Sequence, residues 1–166
     1  IEFEVSTNVI PAEFRESIEA GLNDGIMTGV LGRYPVTDTK IRVAGGSSER
    51  ELSTDVAFRT ASVMAFRDAV MAAGAEFLEP IMSLEIITSD EWMGDVLGDL
   101  NGRRGKVKEM SARGSMQISC AAVPLAELFG YATVIRSLTR GRATYTLEPQ
   151  QFELVPVAVR QELLKS

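Results

Sequence analysis

Ser89-Asp90-Glu91-Trp92-Met93-Gly94-Asp95-Val96-Leu97-Gly98-Asp99-Leu100-Asn101-Gly102 decides the fold of the second half of this 166-residue chain. Ser89 suits an N-cap, and Asp90 and Glu91 favour the positive end of a helix. Met93, Val96, Leu97 and Leu100 follow at i, i+3, i+4, i+7, so residues 90–101 read as an amphipathic helix. On either side lie apolar-rich segments that read as strands, 81–87 before it and 105–110 and 115–123 after it. A second helix over 124–138 and a strand over 141–148 complete the order β-α-β-β-α-β. That order predicts a split βαβ unit, an antiparallel sheet with both helices on one face.

The first half reads as strand, helix, strand, helix. Residues 1–6 alternate like a half-buried strand. Pro11 suits the first turn of a helix carrying Phe14, Ile18 and Leu22, which Gly25, Gly29 and Gly32 are expected to break up. A strand is expected over 36–43, with Thr37, Thr39, Ile41 and Val43 on one face. A long helix is expected over 54–73, capped by Ser53 or Thr54. Its apolar residues go almost all the way round, which predicts cover on more than one side. Pro156 precedes a last amphipathic helix over 157–164. The fold class is α+β, in two small domains.

Apolar residues make up 45% of the chain, enough for a packed core. No apolar run approaches the roughly 20 residues of a membrane span. The chain opens on an alternating segment without a leader pattern and without Met, which agrees with a soluble, cytoplasmic protein and with a fragment of a longer one. Its one cysteine, Cys120, excludes an internal disulfide, and its place in Met116, Ile118, Cys120, Ala122 reads as core. The net charge of −6 argues against nucleic acid, but its distribution does not. Residues 102–142 hold eight basic and two acidic residues, leaving nine basic and twenty-one acidic elsewhere. An acidic body with one basic stripe fits a nucleic-acid surface.

Catalytic patterns are absent. Without histidine the commonest general base is missing. Gly102-Arg103-Arg104-Gly105-Lys106 has the wrong spacing for a phosphate loop, and there is no G-x-S-x-G elbow. Asp95 and Asp99 share a helix face but read as solvent-facing acids, so no metal is expected.

Several long strings carry a resemblance. Glu79-Pro80-Ile81-Met82, Gly94 to Gly105, Val123-Pro124-Leu125-Ala126-Glu127-Leu128-Phe129-Gly130-Tyr131-Ala132-Thr133 and Arg136-Ser137-Leu138-Thr139-Arg140-Gly141-Arg142-Ala143 resemble domain V of elongation factor G. Asn8-Val9-Ile10-Pro11-Ala12-Glu13-Phe14, Tyr34-Pro35-Val36-Thr37-Asp38 and Ala57-Phe58 resemble its domain IV. The resemblance implies a ribosomal-S5-domain-2-like βαβ domain over 1–79 with 151–166, lacking its first hairpin, and a ferredoxin-like domain over 80–150. It implies partners: the ribosome, ribosomal RNA, and tRNA and mRNA at the decoding region, met by a monomer away from membranes. The chain itself would need no cofactor and catalyse nothing; GTP and magnesium would belong to a GTPase domain upstream.

Arg103, Arg104, Lys106, Arg136, Arg140 and Arg142 are the implied RNA-binding residues, gathered because both helices lie on one side of the sheet. Guanidinium suits phosphate, although each arginine taken singly reads equally well as a helix C-cap or a solvated side chain. Gly130 and Tyr131 read as packing residues. The turn Gly45-Gly46-Ser47-Ser48-Glu49-Arg50 aligns with the family's decoding-region tip loop, and Ser48-Glu49 stands where the family commonly has Tyr-His. That departure leaves open a paralogue specialised for ribosome recycling in place of the translocase. From other classes, a freestanding interaction module outside the ribosome and an acylphosphatase-like hydrolase are the alternatives.

Overall fold

The computed structural model describes residues 1–49 and 51–164. Two compact units divide the chain: Ile1–Glu76 with the segment from Val157, and Phe77–Pro156. The first holds β1 (Glu2–Phe3), α1 (Arg15–Thr28), β2 (Arg42–Val43) and α2 (Asp55–Ala73). The second holds β3 (Leu78–Ser89), α3 (Asp90–Gly102), β4 (Lys106–Arg113), β5 (Met116–Pro124), α4 (Tyr131–Leu138) and β6 (Thr144–Leu154). The last helix, α5 (Val157–Leu163), belongs to the first unit, where Arg160 pairs with Glu76. Among the described residues no helix is long and apolar enough to cross a membrane.

The first unit is built on α1 against α2. Val5, Ile10, Ile18, Leu22 and Phe66 form its buried core, and Phe14 stacks on Phe58 with ring centroids 4.5 Å apart. Gly25 does not break α1. A Cβ there would lie 2.6 Å from the Phe66 ring, so the glycine lets the helices approach, and α1 runs on to Thr28. Thr54 caps α2 by accepting from the Ala57 amide at 3.2 Å, and Gly74 ends it in the left-handed region. The expected strands shrink to two residues each. Asp38, at φ +53, interrupts the extended run over 36–43, and β1 and β2 pair only with each other, in parallel. The all-round cover expected for α2 is not found within this unit: Val56, Met64 and Met71 are all more than half exposed.

The second unit is a four-stranded antiparallel sheet of order β4-β5-β3-β6. Leu84 and Ile86 of β3 stand opposite Ala121 and Ser119 of β5, and opposite Leu147 and Tyr145 of β6. This face meets Met93, Val96 and Leu100 of α3 and Tyr131 and Ile135 of α4, forming one buried cluster. The ferredoxin-like expectation is therefore met. The same packing corrects the expectation for Cys120. Ser119, Ala121 and Val123 are the residues of β5 turned to the helices, so the alternation read from the sequence is one residue out of phase. Cys120 lies half-buried on the other face, its Sγ 3.8 Å from Glu85, and burial with the Glu85 and Glu109 charges pushes its thiol pKa up.

Three local details differ from the sequence pattern. The Ser89 hydroxyl donates to Glu91 at 3.2 Å and makes no cap bond to the backbone of α3. The second helix is divided: a 3₁₀ turn over Leu125–Leu128 precedes α4, because Phe129 is extended and Gly130 sits at φ +74. β4 carries a bulge between Val107 and Glu109, and β3 meets β6 with a register shift between Ile81 and Met82.

The β3–β6 ladder begins at Leu78 opposite Leu154, and the Val155 amide donates to the Phe77 carbonyl at 3.0 Å. These rungs lie outside the expected span 80–150. A polypeptide of residues 77–156 should therefore unfold in one cooperative thermal transition by circular dichroism. The shorter 80–150 peptide should melt at a lower temperature, having lost the terminal rungs.

Candidate nucleic-acid interface

The basic stripe does not form one patch. α3 and α4 run antiparallel across the sheet: the end of α3 meets the start of α4 through Arg103 and Tyr131, and the start of α3 meets the segment after α4 through Glu91 and Arg142. α3 has 13 residues, so its two ends are separated by roughly 18 Å. Arg103, Arg104 and Lys106 fall at one pole of the unit, and Arg136, Arg140 and Arg142 at the other.

At the first pole the cations are occupied. Arg103 donates from Nε to Asp99 at 2.8 Å and from Nη1 to the Glu127 carbonyl at 2.6 Å, and it lies 5.1 Å from the Tyr131 ring centroid. Its hydrogen bond to Asp99 raises its pKa further. Arg104, at φ +57, forks both terminal nitrogens onto Glu79 at 2.7 and 2.9 Å, while its Nε reaches Glu127 at 2.9 Å. The Glu79 hydrogen bond is the largest cause raising its pKa. Lys106 lies 3.3 Å from Glu153, whose carboxyl is held below its usual range first by Gln151 and then by Lys106. Three cations thus face Asp99, Glu79, Glu127 and Glu153. A phosphate could reach Arg104 only by displacing two carboxylates.

At the second pole the cations are open. Arg136 stands in the last turn of α4, where a positive charge suits the helix dipole. Arg142 touches Glu91 at 3.3 Å with both side chains more than half exposed, a pair of little strength in water. Arg140 occupies the left-handed region at φ +51 with its guanidinium 5.4 Å from the Trp92 ring centroid. Arg136 and Arg140 have no ion-pair partner among the described residues. Tyr131 is buried in the core, its phenol pushed above its usual pKa range by burial, and Gly130 sets the turn that leads into α4.

In the first unit the tip turn is tied to itself and to the segment before α1. The Ser48 hydroxyl donates to the Val9 carbonyl at 3.1 Å, and the Glu49 amide donates to the Ser53 hydroxyl at 2.9 Å. The amides of Leu52 and Ser53 both donate to the Glu49 carbonyl. Gly46 closes over Ile10, with room for no side chain: a Cβ there would lie 2.8 Å from Ile10 Cδ1. Gly45, Ser47 and the Glu49 side chain are exposed, and Arg50 lies outside the described residues. Among the described residues no group of three His, Cys, Asp or Glu side chains could hold a metal ion.

Reading the chain as a stripe misses the carboxylate partners and Trp92. Asp99 and Arg103 stand at i, i+4, and that signal is available in the sequence. Glu79 and Glu127 are not legible as partners, because they arrive from 25 and 23 residues away.

Comparison with known proteins agrees with this architecture. Residues 1–74 match the family described as elongation factor G, domain IV, and residues 76–163 match the elongation factor G C-terminus. A crystal structure of a protein from Thermus thermophilus is similar over 99% of the chain, with a TM-score of 0.87 and 36% sequence identity. The chain spans 25% of that protein's length. Two small α+β domains of this kind define a part of a translation factor. More particularly, the chain belongs to the elongation factor G family, as its domain IV and C-terminal domain.

The two poles should respond differently to mutation. Arg104→Ala leaves the mostly buried Glu79 carboxylate unpaired and should cost about 2–3 kcal/mol, somewhat below the range for a fully buried pair. Arg142→Ala breaks only an exposed pair and should cost less than about 1 kcal/mol. Urea denaturation of the two variants beside the parent measures both.

Proposed function

We propose that this chain is the ribosome-binding C-terminal part of a translocase, and that its second unit grips ribosomal RNA through Arg136, Arg140 and Arg142. The observation that carries the reading is the imbalance at the second pole, where three exposed cations face a single weakly engaged carboxylate. Phosphate neutralisation needs cations that are not already neutralised. Arg103, Arg104 and Lys106 act here as supports of the fold, with their charge spent on carboxylates.

In the parent protein a GTPase domain, with its GTP and magnesium, would drive the step. The domain IV part would take up space beside tRNA and mRNA at the decoding region, led by the turn over 45–50. The protein would act as a cytoplasmic monomer. A second reading, a paralogue devoted to ribosome recycling, draws on one observation: Glu49 places an exposed negative charge on a turn that closes on itself.

Salt dependence tests the first reading. Binding of the chain to ribosomes should weaken steeply with salt. Replacing Arg136, Arg140 and Arg142 by Ala should flatten the slope of log affinity against log salt by roughly one unit per lost phosphate contact. An unchanged slope would mean that this pole is only a solvated surface.

Glu49→His in the full-length factor separates the two readings. A like-charge contact of about 5–6 Å at an effective dielectric near 20 costs on the order of 3 kcal/mol before screening. If Glu49 meets phosphate during translocation, the variant should speed mRNA movement and leave ribosome-stimulated GTP hydrolysis nearly unchanged. Rapid-mixing measurement of movement and phosphate release on the same preparation decides it; equal slowing of both would remove the turn from the decoding region.

A further inference from the structure

Arg140 occupies a position that its backbone does not favour. At φ +51 it lies in the left-handed region, where glycine is the residue without strain, and the next residue, Gly141, is there as well at φ +76. The turn thus carries an arginine where a second glycine would serve the fold better. Arg104 stands in the same situation after α3, but its side chain gives a structural reason, the fork onto Glu79 with a third bond to Glu127. Arg140 has no such reason. It makes no ion pair among the described residues, and its side chain is exposed, with its guanidinium 5.4 Å from the ring centroid of Trp92.

A guanidinium set against an indole and not drawn away by a carboxylate has lost little of its capacity to bind and has few orientations left to lose. Its second face is free to stack on another flat π system. Unpaired bases in RNA loops are recognised by stacking on aromatic rings and on arginine guanidinium planes, whereas bases inside a helix offer no such face. Arg136 and Arg142 flank the position and are open to the phosphates on either side of a displaced base.

We propose that Arg140, backed by Trp92, is a stacking platform for an unpaired base of an RNA loop, and that this makes the pole selective for looped over fully paired RNA. The inference rests on the RNA-binding reading above and adds a mode of recognition to it. It assigns Arg136 and Arg142 to phosphate and Arg140 to the base.

Trp92 is the single tryptophan of the chain, so its fluorescence reports this site alone. The intact 166-residue chain is titrated with an RNA stem closed by a purine-rich unpaired loop and, separately, with the same stem fully paired. The looped RNA should quench Trp92 and bind more tightly. Arg140→Gly should lower affinity for the looped RNA by about tenfold, the range expected for one stacked base, and leave the paired RNA and the salt slope nearly unchanged. Because glycine suits this backbone, the same variant should keep or raise the melting temperature, which separates lost recognition from lost folding. Arg142→Ala should weaken both RNAs alike and flatten the salt slope. Equal affinity of Arg140→Gly and parent for the looped RNA, with salt-dependent binding intact, overturns the platform while leaving the RNA reading standing. Absence of binding to either RNA or to ribosomes overturns both.

Discussion

The grip of Arg104 on Glu79 and Glu127 is the contact on which the second unit most depends. It joins the turn after α3 to the start of β3 and to the 3₁₀ turn before α4, three pieces of chain that otherwise meet only through the sheet. Holding them requires a long planar cation that can satisfy two carboxylates at once, and a lysine could not form the bidentate half of that arrangement. The residue sits in a strained backbone region to do so. Once this end is closed by ion pairs, the antiparallel course of α3 and α4 leaves the opposite end to carry whatever positive charge remains open. The division of the basic residues into two poles is therefore a consequence of fold and pairing together, and charge counting along the chain does not reach it.

Much of the second unit is legible in the sequence because its signals are local. The i, i+3, i+4, i+7 series from Met93 to Leu100 names the buried face of α3, and all but the partly buried Leu97 lie in the core cluster. The order of strands and helices follows from the same kind of evidence. Cys120 shows where local evidence stops. Alternation in β5 is plain, but apolar residues occupy both phases of it, so only the contacts with α3 and α4 distinguish inside from outside. Arg103 and Arg104 fail for a related reason. Their basicity is local, while the carboxylates that neutralise Arg104, and the Glu127 carbonyl that binds Arg103, arrive through long-range packing.

The first unit is less readable, and its glycines explain part of the difficulty. Gly21 and Gly25 fall at the spacing of a helix face and are both buried against α2, so they serve packing and not interruption. Read as a breaker, Gly25 shortens α1 by a turn; read as points of close approach, the two glycines account for its full length. The short strands are the converse case. Extended sequence is visible over 1–6 and 36–43, but strand structure needs a ladder partner, and among the described residues each of these segments finds only a two-residue one.

The bulge in β4 has a bearing on the behaviour of the chain in concentrated solution. β4 is an edge strand of eight residues, all exposed, with Val107 and Met110 among them. Such an edge is a template for a strand from a neighbouring molecule, the first step of sheet-to-sheet aggregation. The break in register between Val107 and Glu109 interrupts the row of backbone donors and acceptors, and Lys106 and Lys108 flank it with charges that a second copy would bring into opposition. A regular β4 would offer the same side chains on an adhesive edge; the irregular one keeps the sheet from growing past four strands.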